Sequence, residues 1–230
     1  MSITSSTLTR AAAIAAVLAG LAYITIQFIH PADVIASLST QTWVNVHILS
    51  FGEAVLAIVG ITGVYLRQIR QFGLIGLIGY LMFGFFFILQ SAFNFAEALI
   101  APLIAANAPR LAVDFVGLFG RNAAVTDLGP LAALPLVGSA LYVGGALLFG
   151  IATIRARVLS RGAGILLMVA AAVTPVAGAL LPHTLERLAA IPMGLALIWL
   201  GYSLWSDQRR NKVSLQLSKD ESRLNETPVA

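Results

Sequence analysis

Long apolar stretches alternate with short polar segments along the first 206 residues of the chain. Six of these stretches have the length, ~20 residues, that a helix needs to cross the hydrocarbon core of a bilayer. They cover residues 11–29, 44–66, 72–95, 131–154, 163–181 and 188–206. The pattern therefore predicts an all-α fold, in which residues 1–206 form a polytopic integral membrane domain, a bundle of six transmembrane helices.

The end of the chain, residues 207–230, has a different character because it is polar and carries both signs of charge. It holds 9 of the 24 Lys, Arg, Asp and Glu residues and lacks a sustained apolar face. A segment of this kind buries too little apolar surface to fold alone. We expect a flexible tail, with one further turn of helix at its start.

A short helix is predicted in the long connection between the third and fourth spans. Leu111, Phe115 and Leu118 recur at the spacing of one helix face, with Asp114 elsewhere around the helix. Such a helix either lies on the membrane surface or packs on the end of the bundle. The sequence leaves both arrangements open.

Composition supports the membrane assignment and excludes several functional classes. Hydrophobic residues make up 59% of the chain and charged residues 10%, whereas about 25% of a soluble domain is charged. The absence of Cys excludes disulfides, thiolate metal sites and thiol catalysis. The net charge is +4, but the Arg residues are dispersed at the ends of the apolar stretches. Without a basic face, we expect no nucleic-acid partner.

The distribution of basic residues predicts the orientation, since cytoplasmic loops of membrane proteins are enriched in Lys and Arg. With the N-terminus in the cytoplasm, nine of the Lys and Arg residues up to position 212 lie on the cytoplasmic side and three outside. The nine are Arg10, Arg67, Arg70, Arg155, Arg157, Arg161, Arg209, Arg210 and Lys212. The three are Arg110, Arg121 and Arg187. Both termini are therefore predicted to be cytoplasmic, in the inner membrane of a bacterium; the Ala- and Gly-rich, Lys-poor composition suggests a GC-rich genome.

Glu53 is the ionisable residue that this pattern places deepest in the membrane. It lies ten residues beyond Trp43, which is a residue type of the headgroup region. A rise of ~1.5 Å per residue then places it ~15 Å deep. No Lys or Arg occurs at this depth, so burial favours its protonated form. His47 and Ser50 share its helix face.

A second polar stripe is formed on the third span by Gln90, Asn94 and Glu97, which are spaced i, i+4 and i+7. With the face of Glu53, it predicts a pathway for permeation or transport of a small solute or ion. The candidate pathway residues are His47, Ser50, Glu53, Gln90, Asn94 and Glu97. The structural alternative is that Glu53 is neutral and bonded to a helix carbonyl, and that the stripe marks where the helix leaves the membrane.

The three histidines all fall at the outer ends of predicted spans, at the level of several carboxylates. Histidines and carboxylates that converge from separate helices can bind a divalent metal without Cys, and a His pair can ligate haem. The candidate metal ligands are His30, His47, His183 and Glu97. The alternative functional class is thus a membrane-embedded enzyme or redox protein. No His spacing places two ligands on one helix face, so no resident cofactor is predicted.

The sequence contains no recognised catalytic motif, so no catalytic residue is assigned and the chain is not predicted to be an enzyme. A third class is a non-catalytic accessory subunit of a membrane complex, in which every polar residue named above is structural. The expected partners are the lipid bilayer and either further copies of the chain or another membrane subunit.

Overall fold

The computed structural model of the chain describes residues 4–119, 124–181 and 187–225. These residues are all-helical and contain no β-strand. The α-helices are α1 (Ser5–Ile29), α2 (Ile35–Leu38), α3 (Gln41–Leu99), α4 (Ala101–Asn107), α5 (Pro109–Val116), α6 (Leu134–Ala156), α7 (Arg161–Leu180) and α8 (Ile191–Asn225). Within the described ranges, five helical segments are long and apolar enough to cross a membrane: Ser5–Ile29, Gln41–Leu99, Gly129–Ala156, Arg161–Gly178 and Arg187–Arg210.

Helix α3 contains 59 residues but is not straight, because it reverses direction at Gly73. Three hydrogen-bonded pairs connect its two halves: Trp43 with Glu97, Glu53 with Gln90, and Thr62 with Tyr80. This nested order of contacts is that of an antiparallel hairpin. The predicted spans 44–66 and 72–95 thus correspond to the two halves of α3. The sequence pattern placed the turn at residues 67–71, whereas the helix continues through these residues and turns at Gly73.

The reversal depends on the backbone conformation of Gly73, which has φ 57° and ψ −161°. A side chain disfavours this region, and glycine populates it readily. A Cβ atom added at Gly73 would meet no other atom within 4 Å. The requirement for glycine is therefore conformational rather than a matter of space.

The helices pack in an order in which α1 lies against α3 and α8, α3 lies against α6, and α7 lies against α6 and α8. Small residues allow the close approaches that drive helix association in lipid. A Cβ atom added at Gly20 would clash with the carbonyl of Gly194, and one added at Gly145 would lie 2.5 Å from the backbone nitrogen of Phe83. Glycine at these positions lets α1 contact α8 and α6 contact α3.

Contacts at each end of the bundle distinguish the two ends. At one end, which we call the arginine end, Nε of Arg67 donates to Asp207 over 2.6 Å, and Gln208 donates to the backbone oxygen of Ser6. At the opposite end, which we call the histidine end, Nη2 of Arg187 donates to Asp33 over 2.6 Å. The start of α1, the turn of α3 and the polar part of α8 therefore meet at the arginine end.

Helix α5 packs on the histidine end of the bundle. Ala112, Phe115 and Val116 are buried in a small core with Trp43 and Leu38, which favours the packed arrangement over a helix lying freely on the membrane surface. On the same helix, Asp114 accepts hydrogen bonds from the backbone nitrogens of Val125 and Thr126. Side-chain and backbone hydrogen bonds from Thr126, with a further one from Val125, lower the pKa of Asp114.

The polar segment after residue 206 differs from the expectation of a single further turn of helix, because α8 continues to Asn225. The segment is rich in Gln, Lys, Leu and Arg, which have good helix propensity. It also follows directly on a long apolar helix, so no new helix nucleus has to form. The composition of the polar segment alone does not predict that it continues the preceding apolar helix.

Candidate functional site

A cavity of about 820 Å³ opens at the histidine end, between α1, the second half of α3, α6 and α7. Part of its wall is apolar and aromatic, with Phe86, Leu89, Phe93 and Tyr142. Polar side chains on the second half of α3 and in the connections that follow α1 and α7 also line it: His30, Asp33, Gln90, Asn94, Glu97 and Arg187. The predicted stripe of Gln90, Asn94 and Glu97 thus faces a cavity inside the bundle.

Glu53 is buried, with 1% of its surface exposed, and it lies one hydrogen bond away from this cavity. Its Oε2 accepts a hydrogen bond of 2.9 Å from Nε2 of Gln90, which itself lines the cavity. Within the described residues, Oε1 of Glu53 and Oε1 of Gln90 have no hydrogen-bond partner. The contact of Glu53 is therefore with an amide side chain, not with a helix carbonyl as the structural alternative predicted. The pair offers two buried oxygen atoms that can accept a proton or a polar ligand.

Two tyrosines extend this polar layer across the bundle. The side chains of Tyr23 on α1 and Tyr142 on α6 lie close to each other at the cavity wall. The Tyr142 hydroxyl also lies 3.1 Å from Oγ1 of Thr174 on α7. Both tyrosines line the cavity and lie within electrostatic range of Glu53. The sequence pattern gives no signal for these tyrosines, because an aromatic residue inside an apolar span is typical of helix packing.

His47 and Glu97 form a second polar pair between the two halves of α3. Nδ1 of His47 donates to the backbone oxygen of Trp43 over 2.8 Å, so its Nε2 is left facing Oε2 of Glu97 at 3.4 Å. Nε1 of Trp43 donates to the backbone oxygen of Glu97 over 2.8 Å. This bond holds in place the helical turn that carries the Glu97 side chain. His47 is 1% exposed and Glu97 8%. Nε2 of His47 has no hydrogen-bond partner within the described residues, and the pair can hold one proton, either on the imidazole nitrogen or on the carboxyl oxygen.

A third group lies beside this pair at the mouth of the cavity. Arg187 is paired with Asp33 at 2.6 Å, and His30 lies 3.9 Å from another oxygen of Asp33. The rings of His30 and His47 meet edge to face, with centroids 4.9 Å apart. The guanidinium group at the cavity mouth is therefore already neutralised by a carboxylate.

The remaining candidate pathway residues are bonded within their own helix. The hydroxyl of Ser50 donates to the backbone oxygen of Val46, and Nδ2 of Asn94 donates to the backbone oxygen of Gln90. Asn94 lines the cavity and Ser50 is buried beside the face of Glu53. The structure thus brings the six candidates from the two halves of α3 together, on the side of the hairpin away from its turn. Gln90, Asn94 and Glu97 lie at the cavity wall, and the other three lie behind them.

Of the candidate metal ligands, His30, His47 and Glu97 lie close together, whereas His183 falls outside the described residues. Among the residues that are described, no three His, Cys, Asp or Glu side chains are arranged to hold a metal ion. Both described histidines use Nδ1 on a backbone oxygen, that of Pro31 for His30 and that of Trp43 for His47. For His47, Nε2 is the ring nitrogen left for a ligand, and it already faces Glu97 at 3.4 Å.

Comparison with known proteins gives no further guide to the chemistry of the site. No protein-family model matches the chain, and no curated protein and no solved structure is detectably similar to it. The function has to be argued from the residues of the chain itself.

Proposed function

We propose that the chain is a membrane transport protein that couples the movement of a small solute to that of a proton. The cavity at the histidine end is the solute site, and Glu53 carries the proton. One observation supports this above all others: Gln90 lines the cavity and also donates a hydrogen bond to Glu53. The same side chain therefore contacts the space for a solute and the buried carboxyl group.

The coupling follows from the cost of a buried charge. A carboxylate in an apolar interior is unfavourable unless hydrogen bonds or an opposite charge stabilise it. The Gln90 amide is such a donor to Glu53. The positive charge of a solute bound beside Gln90 favours the carboxylate form of Glu53, so the solute displaces the proton from Glu53. Solute occupancy and the proton on Glu53 are thereby linked, and by reciprocity the proton alters the affinity for the solute.

The proposal includes a topology of six spans with both termini in the cytoplasm of a bacterial cell, in its inner membrane. The reversal of α3 at Gly73 supports counting its two halves as separate spans. The contacts of α8 with the start of α1 and with the turn of α3 place Arg10, Arg67 and Arg70 at the same end. This end is the cytoplasmic one by the enrichment of basic residues. The histidine end then faces outward.

Proton entry into liposomes tests the role of Glu53. The full chain is reconstituted into vesicles that contain a pH-sensitive dye, and a potassium gradient with valinomycin imposes an inward driving force on protons. Glu53 can also take up and release a proton without solute, so we expect the wild-type protein to acidify the lumen slowly but faster than protein-free vesicles, and Glu53→Gln to abolish the excess rate. Asp127→Asn is the matched control, since it removes a carboxylate from an exposed position outside the cavity. Equal excess rates for wild type and Glu53→Gln contradict the proposal.

A further inference from the structure

The chemistry of the cavity wall defines a class of ligand. The apolar part of the wall contains the aromatic residues Phe86, Phe93 and Tyr142 together with Leu89. Faces of aromatic rings attract cations as well as apolar groups. The volume of about 820 Å³ falls within the range of about 300–1,000 Å³ that is typical of small-molecule sites. A ligand of this cavity therefore needs bulk and apolar surface.

The charges at the polar side of the cavity favour a cation over an anion. Arg187 is paired with Asp33 at 2.6 Å, so its charge is compensated. Glu97 lines the cavity, and in the described part of the chain the basic group within 4 Å of its carboxyl group is the imidazole of His47 rather than an arginine. The other titratable or charged groups that face this pair are His30, Asp33 and Arg187. A bound cation would supply the positive charge that Glu97 lacks.

From these two features we infer that the cavity binds a lipophilic organic cation, an ammonium or phosphonium ion with aromatic or other apolar substituents, with Glu97 as its counter-ion. This inference rests on the proposed function, whose solute it specifies. When the cation binds, the His47–Glu97 pair releases the proton that it shares to the solvent. One positive charge enters the site and one leaves, so no uncompensated charge is buried.

Glycine 138 provides a way to fill the cavity without disturbing the fold. It lies on α6 at the cavity wall, and a Cβ atom added there would meet no other atom within 4 Å. Gly138→Leu therefore places a side chain in the space that the ligand needs. Gly52→Leu is the matched control, because a Cβ atom at Gly52 also meets nothing within 4 Å and Gly52 does not line the cavity.

The test is calorimetric binding to the purified full chain in detergent. The probes are tetraphenylphosphonium and tetraphenylborate, which share a shape and differ in the sign of their charge; detergent micelles without protein give the background. We expect the cation to bind at least about tenfold more tightly than the anion, a difference of about 1.4 kcal/mol. Glu97→Gln and Gly138→Leu are expected to weaken cation binding at least about tenfold, and Gly52→Leu to leave it unchanged.

Titration in two buffers with different ionisation enthalpies measures the protons released. We expect wild type to release protons when the cation binds and Glu97→Gln to release about one proton fewer, because the His47–Glu97 pair has one proton to lose. Equal binding of the anion, normal cation binding by Gly138→Leu, or binding without proton release would overturn the inference. Thermal unfolding of each variant in the same detergent establishes that it is folded.

The outcome separates this inference from the proposed function. If proton entry depends on Glu53 but no cation binds, the inferred class of ligand is wrong and the proposal of proton-coupled transport is retained. If the cation binds but Glu53→Gln leaves proton entry unchanged, the inferred class of ligand is supported and the proposed transport role of Glu53 is wrong.

Discussion

The side-chain amide of Gln90 donates a hydrogen bond to Oε2 of Glu53 over 2.9 Å and thereby joins the two antiparallel halves of α3. The contact connects a residue of the cavity wall with a carboxyl group that is 1% exposed. Its energetic value can be measured separately from any transport activity, because both residues contribute to stability as well as to the site.

Replacement of Gln90 with Leu leaves Oε2 of Glu53 without its donor in an apolar interior. We expect Gln90→Leu to lower the free energy of unfolding by about 1–3 kcal/mol, the cost of an unsatisfied buried polar group. The double variant Glu53→Leu/Gln90→Leu removes both partners and is expected to cost less than the sum of the two single variants. Unfolding of the purified protein in mixed micelles gives the four free energies. Strict additivity would show that the two side chains do not interact.

Gly73 is expected to tolerate no side chain, although the space around it is open. Its φ of 57° and ψ of −161° are strained for an alanine, and a strained backbone conformation costs about 1–3 kcal/mol. Gly73→Ala should therefore lower the unfolding free energy by that amount. Gly52→Ala is the control, since it adds a methyl group in equally open space but within regular helix, where alanine is favoured by about 0.5–1 kcal/mol. Equal effects of the two variants would contradict the conformational argument.

The loop held by Asp114 should loosen in acid. Hydrogen bonds from the side chain and backbone of Thr126 lower the pKa of Asp114 below its ordinary value of 3.8. The stabilisation is therefore present above the ordinary pKa and is lost as the pH falls through the lower value in the folded protein. Thr126→Val removes the side-chain donor and should move the loss to higher pH. Hydrogen exchange at the amides of Val125 and Thr126 measures the loop directly.

Asp127→Asn serves as the control for this pH dependence. Asp127 is exposed in the same connection and accepts a hydrogen bond from the backbone nitrogen of Gly129, which the asparagine oxygen can also accept. We expect this variant to retain the wild-type pH profile of exchange at Val125 and Thr126. A profile that follows Asp127 instead of Asp114 would show that the assignment to Asp114 is wrong.

Labelling of single cysteines tests the proposed topology, and the chain suits it because it contains no Cys. Ser5, Gln41 and Arg70 are exposed. We expect Gln41→Cys to react with a membrane-impermeant maleimide in intact cells. Ser5→Cys and Arg70→Cys should react only after the cells are permeabilised. Reaction of Arg70→Cys in intact cells would contradict two separate spans in α3 with a cytoplasmic turn.

Several features of the fold and the site could be predicted because they depend on local spacing. The long apolar stretches correspond to the helices, since a helix in lipid must satisfy its own backbone hydrogen bonds. The i, i+4, i+7 spacing places Gln90, Asn94 and Glu97 on one face, which the structure directs to the cavity. The depth of Glu53 below Trp43 follows from the helix rise. Their use in transport stays a prediction.

Other features could not be predicted because they depend on contacts between distant segments. Asp33 and Arg187 are 154 residues apart in sequence, and their ion pair exists only once the bundle has assembled. The sequence pattern places Trp43 in the headgroup region, but its ring is fully buried against His47 and its nitrogen donates to Glu97. The side chains of Tyr23 and Tyr142 likewise come together only through tertiary packing.

Exchange of an external cation for internal protons tests the central claim of coupled transport most directly. Liposomes with the reconstituted full chain contain a pH-sensitive dye, and equal potassium on both sides with valinomycin holds the voltage at zero. We predict that external benzyltrimethylammonium raises the luminal pH with wild type and with Gly52→Leu, but not with Glu53→Gln or Gly138→Leu. An unchanged luminal pH with wild type, or an equal rise with Glu53→Gln, would contradict the account.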